Sequence, residues 1–203
     1  MRLFVGIGLS DAVERELASA VTRLRSSAAP AAGSLRWTEP DSWHITLQFL
    51  GTATPEQLTC LMEQLREVRS APVAVRLGHL SCFERAGVLF SEVEATRDLA
   101  VLAGDVAAAT SRCGFVAETR PFHPHITLAR KTEKKGNRQQ GDKNPRTASR
   151  ALRSQDLRDL AASAGAYRFT RFTAQEFVLY ESHLGADKAR YEIRAWFPLR
   201  MPA

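Results

Sequence analysis

His44-Ile45-Thr46-Leu47 recurs unchanged as His125-Ile126-Thr127-Leu128, 81 positions further along a chain of 203 residues. The first copy lies in Trp43-His44-Ile45-Thr46-Leu47-Gln48-Phe49-Leu50-Gly51. The second lies in Phe122-His123-Pro124-His125-Ile126-Thr127-Leu128-Ala129-Arg130. Both runs are rich in β-branched and aromatic residues and read as strands. Residues two apart on a strand point to the same face. Each copy therefore sets a His and a Thr on one face and an Ile and a Leu on the other. The apolar pair anchors the strand on a core, and the polar pair faces outward or into a groove.

The polar pairs have a chemistry in common. A neutral imidazole accepts a proton and a cationic one donates it, and an unperturbed pKa of about 6.5 allows both near neutral pH. Two imidazoles across a groove serve as base and acid on opposite sides of one reacting atom. A Thr hydroxyl donates a hydrogen bond to an oxygen that gains negative charge. An acid, a base and two donors suit phosphoryl transfer with no metal. A lone strand histidine is ordinarily a surface or interface residue, but an identical word in two places favours a shared site.

The paired words resemble those of the 2H phosphoesterase superfamily. The longer surroundings are similar to its bacterial RNA 2′,3′-cyclic phosphodiesterases, formerly called 2′-5′ RNA ligases. The matching residues are Leu3-Phe4-Val5-Gly6-Ile7, Arg36-Trp37 ahead of His44, Phe49-Leu50-Gly51, the run from His123 to Arg130, and a closing strand pair ending Phe197-Pro198-Leu199. They cover nearly the whole chain in the family's order. The resemblance implies an α+β fold of two pseudo-symmetric lobes, with mainly antiparallel curved sheets facing across a central groove and helices outside. It implies His44 as proton donor to the leaving 3′ oxygen, His125 as the base that activates water, and Thr46 and Thr127 as ligands of the phosphate oxygens. Arg130 matches the Arg that commonly ends the second family motif, and a guanidinium suits phosphate. Strict alternation, however, sets Arg130 opposite His125, so a bulge or the strand's end has to turn it inward. Phe49 shares parity with Ile45 and Leu47, which favours the core over base stacking. The family pattern places the strand of Ser182 near the groove.

Composition narrows the alternatives. The hydrophobic content of 44% is ordinary for a globular chain. No apolar run reaches the roughly 18 residues of a spanning helix, and the N-terminal apolar stretch is too short for a signal peptide. Three cysteines, Cys60, Cys82 and Cys113, are an odd number without short spacing. They suggest reduced thiols in a cytoplasmic protein, with neither a disulfide frame nor a zinc site. His123 and His125 share a face at a metal-ligand spacing, yet no cluster of Asp, Glu or Cys accompanies them. His123 is therefore read as a neighbour that orients the site, and no metal or cofactor is expected. The net charge of +6 is local. Lys131, Lys134, Lys135, Arg138, Lys143, Arg146, Arg150 and Arg153 stand against Glu133 and Asp142, and the other residues sum to zero.

The chain reads as one domain, 1–203, of two intertwined lobes with one motif each. A strand at 2–8 precedes a helix from Asp11 to Arg25 with apolar Val13, Leu17, Val21 and Leu24. Residues 27–34 form a loop. Thr54-Pro55-Glu56-Gln57 opens a second helix. Strands near 72–80 and 87–94 flank a turn at Glu84–Gly87. A helix from Asp98 to Cys113 ends at Gly114. Residues 131–150 contain no large apolar side chain and read as a basic flexible loop insertion. A short helix near 154–164 and two long strands finish the chain. The expected protein is a cytoplasmic monomer that hydrolyses RNA 2′,3′-cyclic phosphate ends to 2′-phosphomonoesters. Reversible 2′-5′ ligation uses the same acid and base, and a non-catalytic RNA- or nucleotide-binding module would keep the groove.

Overall fold

The computed structural model describes residues 1–27, 34–132, 153–165, 169–185 and 189–200. Nearly all of the expected basic loop at 131–150, and most of the loop at 27–34, lie outside these residues. The described chain runs β1 (Arg2–Gly8), α1 (Asp11–Ser27), β2 (Leu35–Trp37), β3 (His44–Thr52), α2 (Pro55–Arg66), β4 (Val73–Val75), β5 (Leu77–Phe83), β6 (Val88–Val93), α3 (Arg97–Ser111), β7 (His125–Lys131), α4 (Ser154–Ser163), β8 (Phe172–Ala174), β9 (Glu176–Leu184) and β10 (Ala189–Pro198). It is an α+β fold with antiparallel sheets.

Local chemistry accounts for the element ends. Thr54 and Gln57 form a capping box: the Gln57 N–H donates to Thr54 Oγ1 at 3.2 Å and the Thr54 N–H to Gln57 Oε1 at 3.0 Å. Two orphan amides of α2 are thereby satisfied, and Pro55 occupies the position that needs no donor. Gly114, at φ 85°, follows α3 in the left-handed region that favours glycine. The apolar stripe of α1, Val13, Leu17, Val21 and Leu24, is buried as its period predicts.

One four-stranded sheet has the order β10-β9-β1-β3, and another the order β2-β7-β6-β5; β4 and β8 pair separately. The sheets resemble each other: β3 beside β1 beside β9 in one corresponds to β7 beside β6 beside β5 in the other. Each borrows from the far part of the chain. The late strands β9 and β10 complete the first, and the early β2 covers the outer edge of β7 in the second. The two motif strands approach one another at the seam. The core between sheets and helices includes Ile7, Leu17, Ile45, Leu61, Leu65, Leu99, Leu102 and Ile126, all essentially without solvent contact.

The expectation of three free thiols is corrected. Cys60, on α2, and Cys113, just past α3, form a disulfide with their Cα atoms 5.8 Å apart. The partners are 53 residues apart in sequence, a separation that carries no signal. The side-by-side packing of α2 and α3 brings them together. Cys82 is a free cysteine. No described helix is long and apolar enough to cross a membrane.

Candidate functional site

Both motif strands bury their apolar residues and keep their polar ones half-exposed. Ile45, Leu47, Ile126 and Leu128 are in the core, while His44, Thr46, His125 and Thr127 face a cleft of about 390 Å³. All five expected residues, His44, Thr46, His125, Thr127 and Arg130, line that one cleft, as does Ser182. Arg2 and Arg36 join Arg130 there, and among the described residues no carboxylate or thiolate contributes to the lining.

Arg130 reaches the cleft through a β-bulge. Along β7 and β6, Phe90 pairs with Thr127 but Leu89 pairs with Ala129, so Leu128 is the extra residue. Leu128 and Ala129 are then buried in succession, and Arg130 turns outward. An extra residue inverts alternation beyond it. The same device sits at the same place in β3: Gly6 pairs with Thr46 and Val5 with Gln48, leaving Leu47 extra. Leu47 and Gln48 are both buried, and Phe49 emerges 61% exposed on the cleft. The expectation of Phe49 in the core is thus corrected. Simple parity failed because it allowed for no bulge. Gln48, turned inward, accepts from Thr110 Oγ1 on α3 at 2.7 Å, which ties the first motif strand to that helix.

Each imidazole is held in the same way. His44 Nδ1 lies 2.9 Å from the Ser42 carbonyl oxygen, and His125 Nδ1 lies 2.8 Å from that of His123. A carbonyl only accepts, so Nδ1 carries the proton and the lone pair of the neutral ring is at Nε2. His123 therefore orients the site through its backbone. Aromatic rings surround both imidazoles. Phe4 lies 4.5 Å from His44, Tyr191 5.0 Å and Tyr180 5.9 Å. Phe83 lies 5.0 Å and Phe90 5.2 Å from His125. The rings come from corresponding strands though not from corresponding positions: Phe90 on β6 pairs with Thr127, whereas Gly6 on β1 pairs with Thr46 and Phe4 lies two residues before it. Apart from Phe4, which stands in the opening run that matched the family, these rings had no signal in the sequence, because their strands meet the motif strands only through the sheet.

Burial among these rings disfavours the imidazolium. It lowers His44 to about 4, with smaller contributions from the nearby charges of His125 and Arg130. His125 is also lowered, chiefly by burial and then by His123 and Arg130. In both, the hydrogen bond to the carbonyl opposes the shift. Burial pushes the Tyr180 phenol up to about 12 and raises Tyr191, so both stay protonated.

Gly6 is required where β1 passes beneath His44. A Cβ there would meet the Ile45 carbonyl oxygen at 2.8 Å and His44 Cδ2 at 3.5 Å.

Elsewhere among the described residues, Glu181, His183 and Glu192 bring ligand atoms within 4.8 Å of one another. The Arg194 guanidinium already lies 3.4 Å from Glu181 and 3.1 Å from Glu192, and His183 Nε2 lies 3.0 Å from Glu192. This is an ion-pair network on β9 and β10.

Comparison with solved structures places the fold first. E. coli LigT complexed with 3′-AMP superposes with a TM-score of 0.71 at 22% identity, covering 98% of this chain and 97% of that one. A Thermus thermophilus protein gives 0.67 at 21% identity over the full length of both chains. The chain belongs to the LigT like Phosphoesterase family, whose model matches it twice, over residues 7–90 and 91–191. A Geobacillus stearothermophilus protein named RNA 2′,3′-cyclic phosphodiesterase is 31% identical over 201 residues, 97% of this chain and 56% of that protein. The chain thus spans little more than half the length of that relative. A Bacillus subtilis protein of the same name is 31% identical over 133 residues, 63% of this chain and 70% of its own length.

Proposed function

We propose that the chain is a phosphodiesterase that opens RNA 2′,3′-cyclic phosphate ends to 2′-phosphomonoesters by acid–base catalysis between His44 and His125. The observation that carries the reading is the meeting of two identically held imidazoles in one cleft walled by arginines. Relatives that bear this activity in their names support it. In the proposed reaction, His125 Nε2 takes a proton from water as the water oxygen bonds to phosphorus. The P–O3′ bond breaks, and His44 Nε2–H protonates the leaving 3′ oxygen. Thr46, Thr127 and Arg130 hold the non-bridging oxygens, where charge accumulates. Phe49 offers its open face to the terminal base.

The proposed reaction uses no metal: among the described residues that line this cleft, the histidines stand beside hydroxyls and guanidiniums, with no carboxylate or thiolate. The proposal takes residues 1–203 as one domain of two intertwined lobes that act together as a monomer. It includes residence in the cytoplasm. Cell fractionation checks this last part, and recovery of the chain outside the cytoplasm would overturn it.

The deciding experiment incubates the protein with a short RNA bearing a 2′,3′-cyclic phosphate, in EDTA, and reads the product by phosphorus NMR. A 2′-phosphomonoester is expected. A 3′-phosphomonoester, an intact substrate, or turnover only after a divalent ion is restored would each overturn a stated part of the reading. Adding an RNA with a free 5′-hydroxyl tests 2′-5′ joining in the same tube.

A further inference from the structure

Beside the cleft lies a second pocket of about 460 Å³. Five residues, Arg36, Thr38, Ser42, Arg130 and Tyr191, line both spaces, so the two adjoin. The second space adds Arg190, from the start of β10, to Arg36 on β2 and Arg130 on β7. Three strands from different parts of the chain thus bring guanidiniums to one pocket, one step from the two histidines. Two carboxylates, Glu39 and Asp41, lie on its wall. Asp41 Oδ1 accepts from Ser42 Oγ at 3.1 Å.

We propose that this pocket is a second phosphate subsite, which takes the 5′-phosphate of the nucleotide whose 2′,3′-cyclic phosphate lies between His44 and His125. The inference rests on the function proposed above and names the substrate class that the site prefers: a 5′-phosphorylated or polymeric end over a bare cyclic nucleoside. Planar guanidiniums pair with phosphate oxygens in bidentate fashion, and the Tyr191 hydroxyl adds a donor on the same wall. Arg130 belongs to both spaces and bridges the reacting phosphate and its neighbour. Arg36 gives the pocket a second fixed cation, and Arg190 is the guanidinium that serves only the second space. The two carboxylates repel an anion in contact with them. They confine it to the arginine side.

The test compares adenosine 2′,3′-cyclic phosphate with its 5′-phosphorylated form. The 5′-phosphate should lower KM about tenfold and leave kcat within about twofold, the signature of binding energy expressed equally in ground and transition states. Arg190→Ala should abolish most of that gain, Arg190→Lys should keep part of it, and Arg66→Ala, a matched loss of charge on α2, should leave it intact. Calorimetric titration with adenosine 2′,5′-bisphosphate and adenosine 2′-phosphate reads the same difference in Kd without turnover. A tighter bisphosphate that loses its advantage in Arg190→Ala supports the subsite even if neither cyclic nucleotide is hydrolysed; in that case the proposed reaction falls and the subsite stands. Equal KM and equal Kd for the paired ligands, or a gain that survives Arg190→Ala, would overturn the subsite while leaving hydrolysis itself untouched.

Discussion

An imidazole at the end of a strand becomes an acid or a base according to what surrounds it. At His44 and His125 the surroundings are matched: a carbonyl fixes Nδ1–H, aromatic rings pack against the imidazole, and the side chain lines the cleft. Two consequences follow for measurement. If the proposed reaction holds, His44→Ala and His125→Ala should each lower kcat by about a hundredfold to ten-thousandfold, and the double variant should be little worse than either, because the pair would then serve one transition state. Multiplicative loss would separate the two roles. The second consequence is pH dependence. Both imidazoles are lowered, His44 to about 4, so kcat/KM, which reports the free protein, should peak on the acid side of the usual imidazole range near 6.5. A bound phosphodiester anion favours the imidazolium and reverses the sign, so the kcat optimum should lie at higher pH. In the free protein burial lowers His44 to about 4, so its proposed role as proton donor requires bound phosphate to raise it. NMR titration of the two rings with a 2′-nucleotide bound checks this, and a His125 that titrates above His44 would exchange the proposed roles.

At the scale of the element, a bulge at the Leu of each motif decides what the strand presents. Without it Gln48 would face the cleft, Phe49 the core, and Arg130 the interior beside Leu128. The bulge in β3 is fastened by the buried Thr110–Gln48 hydrogen bond. Thr110→Val keeps the volume and removes the donor, leaving the amide oxygen of Gln48 without it. A cost of about 1–3 kcal/mol is expected, read as a lower urea midpoint with an unchanged slope. Because the bond holds the strand that carries His44, activity at temperatures well below unfolding should fall as well. Full activity in a destabilised variant would show that the bulge holds without this tie.

Over the whole molecule, the disulfide joins α2 to the end of α3, and α3 in turn carries Thr110. Cys60→Ser should lower stability by about 2–4 kcal/mol, the usual effect of removing a cross-link that restrains the unfolded chain. Denaturation with and without a reductant checks this, and the two curves of the variant should coincide. Charge is the other property at this scale. The net +6 resides in residues 131–153, directly after the strand of His125. If that segment meets RNA, replacing Lys134, Lys135, Arg138 and Lys143 by Ser should flatten the log–log salt dependence of binding by about 0.7 for each phosphate no longer neutralised. An unchanged slope assigns the segment to a solvated surface.

The sequence alone determined the two motif strands, the face each turns to the core, the helices with their caps and apolar stripes, and the concentration of charge. All of these follow from local rules: side-chain period, capping chemistry and turn residues act within a few positions. The paired words also pointed to one shared site. The tertiary structure alone decided what depends on distant partners. Register slips between β3 and β1, and between β7 and β6, turned Phe49 and Arg130 to the cleft, because a bulge is a property of two strands and not of one. The aromatic surroundings that lower the histidines come from β1, β5, β6, β9 and β10, and the Cys60–Cys113 pairing comes from helix packing. None of these contacts leaves a mark on local periodicity, since each is selected by the packing of elements far apart in the chain.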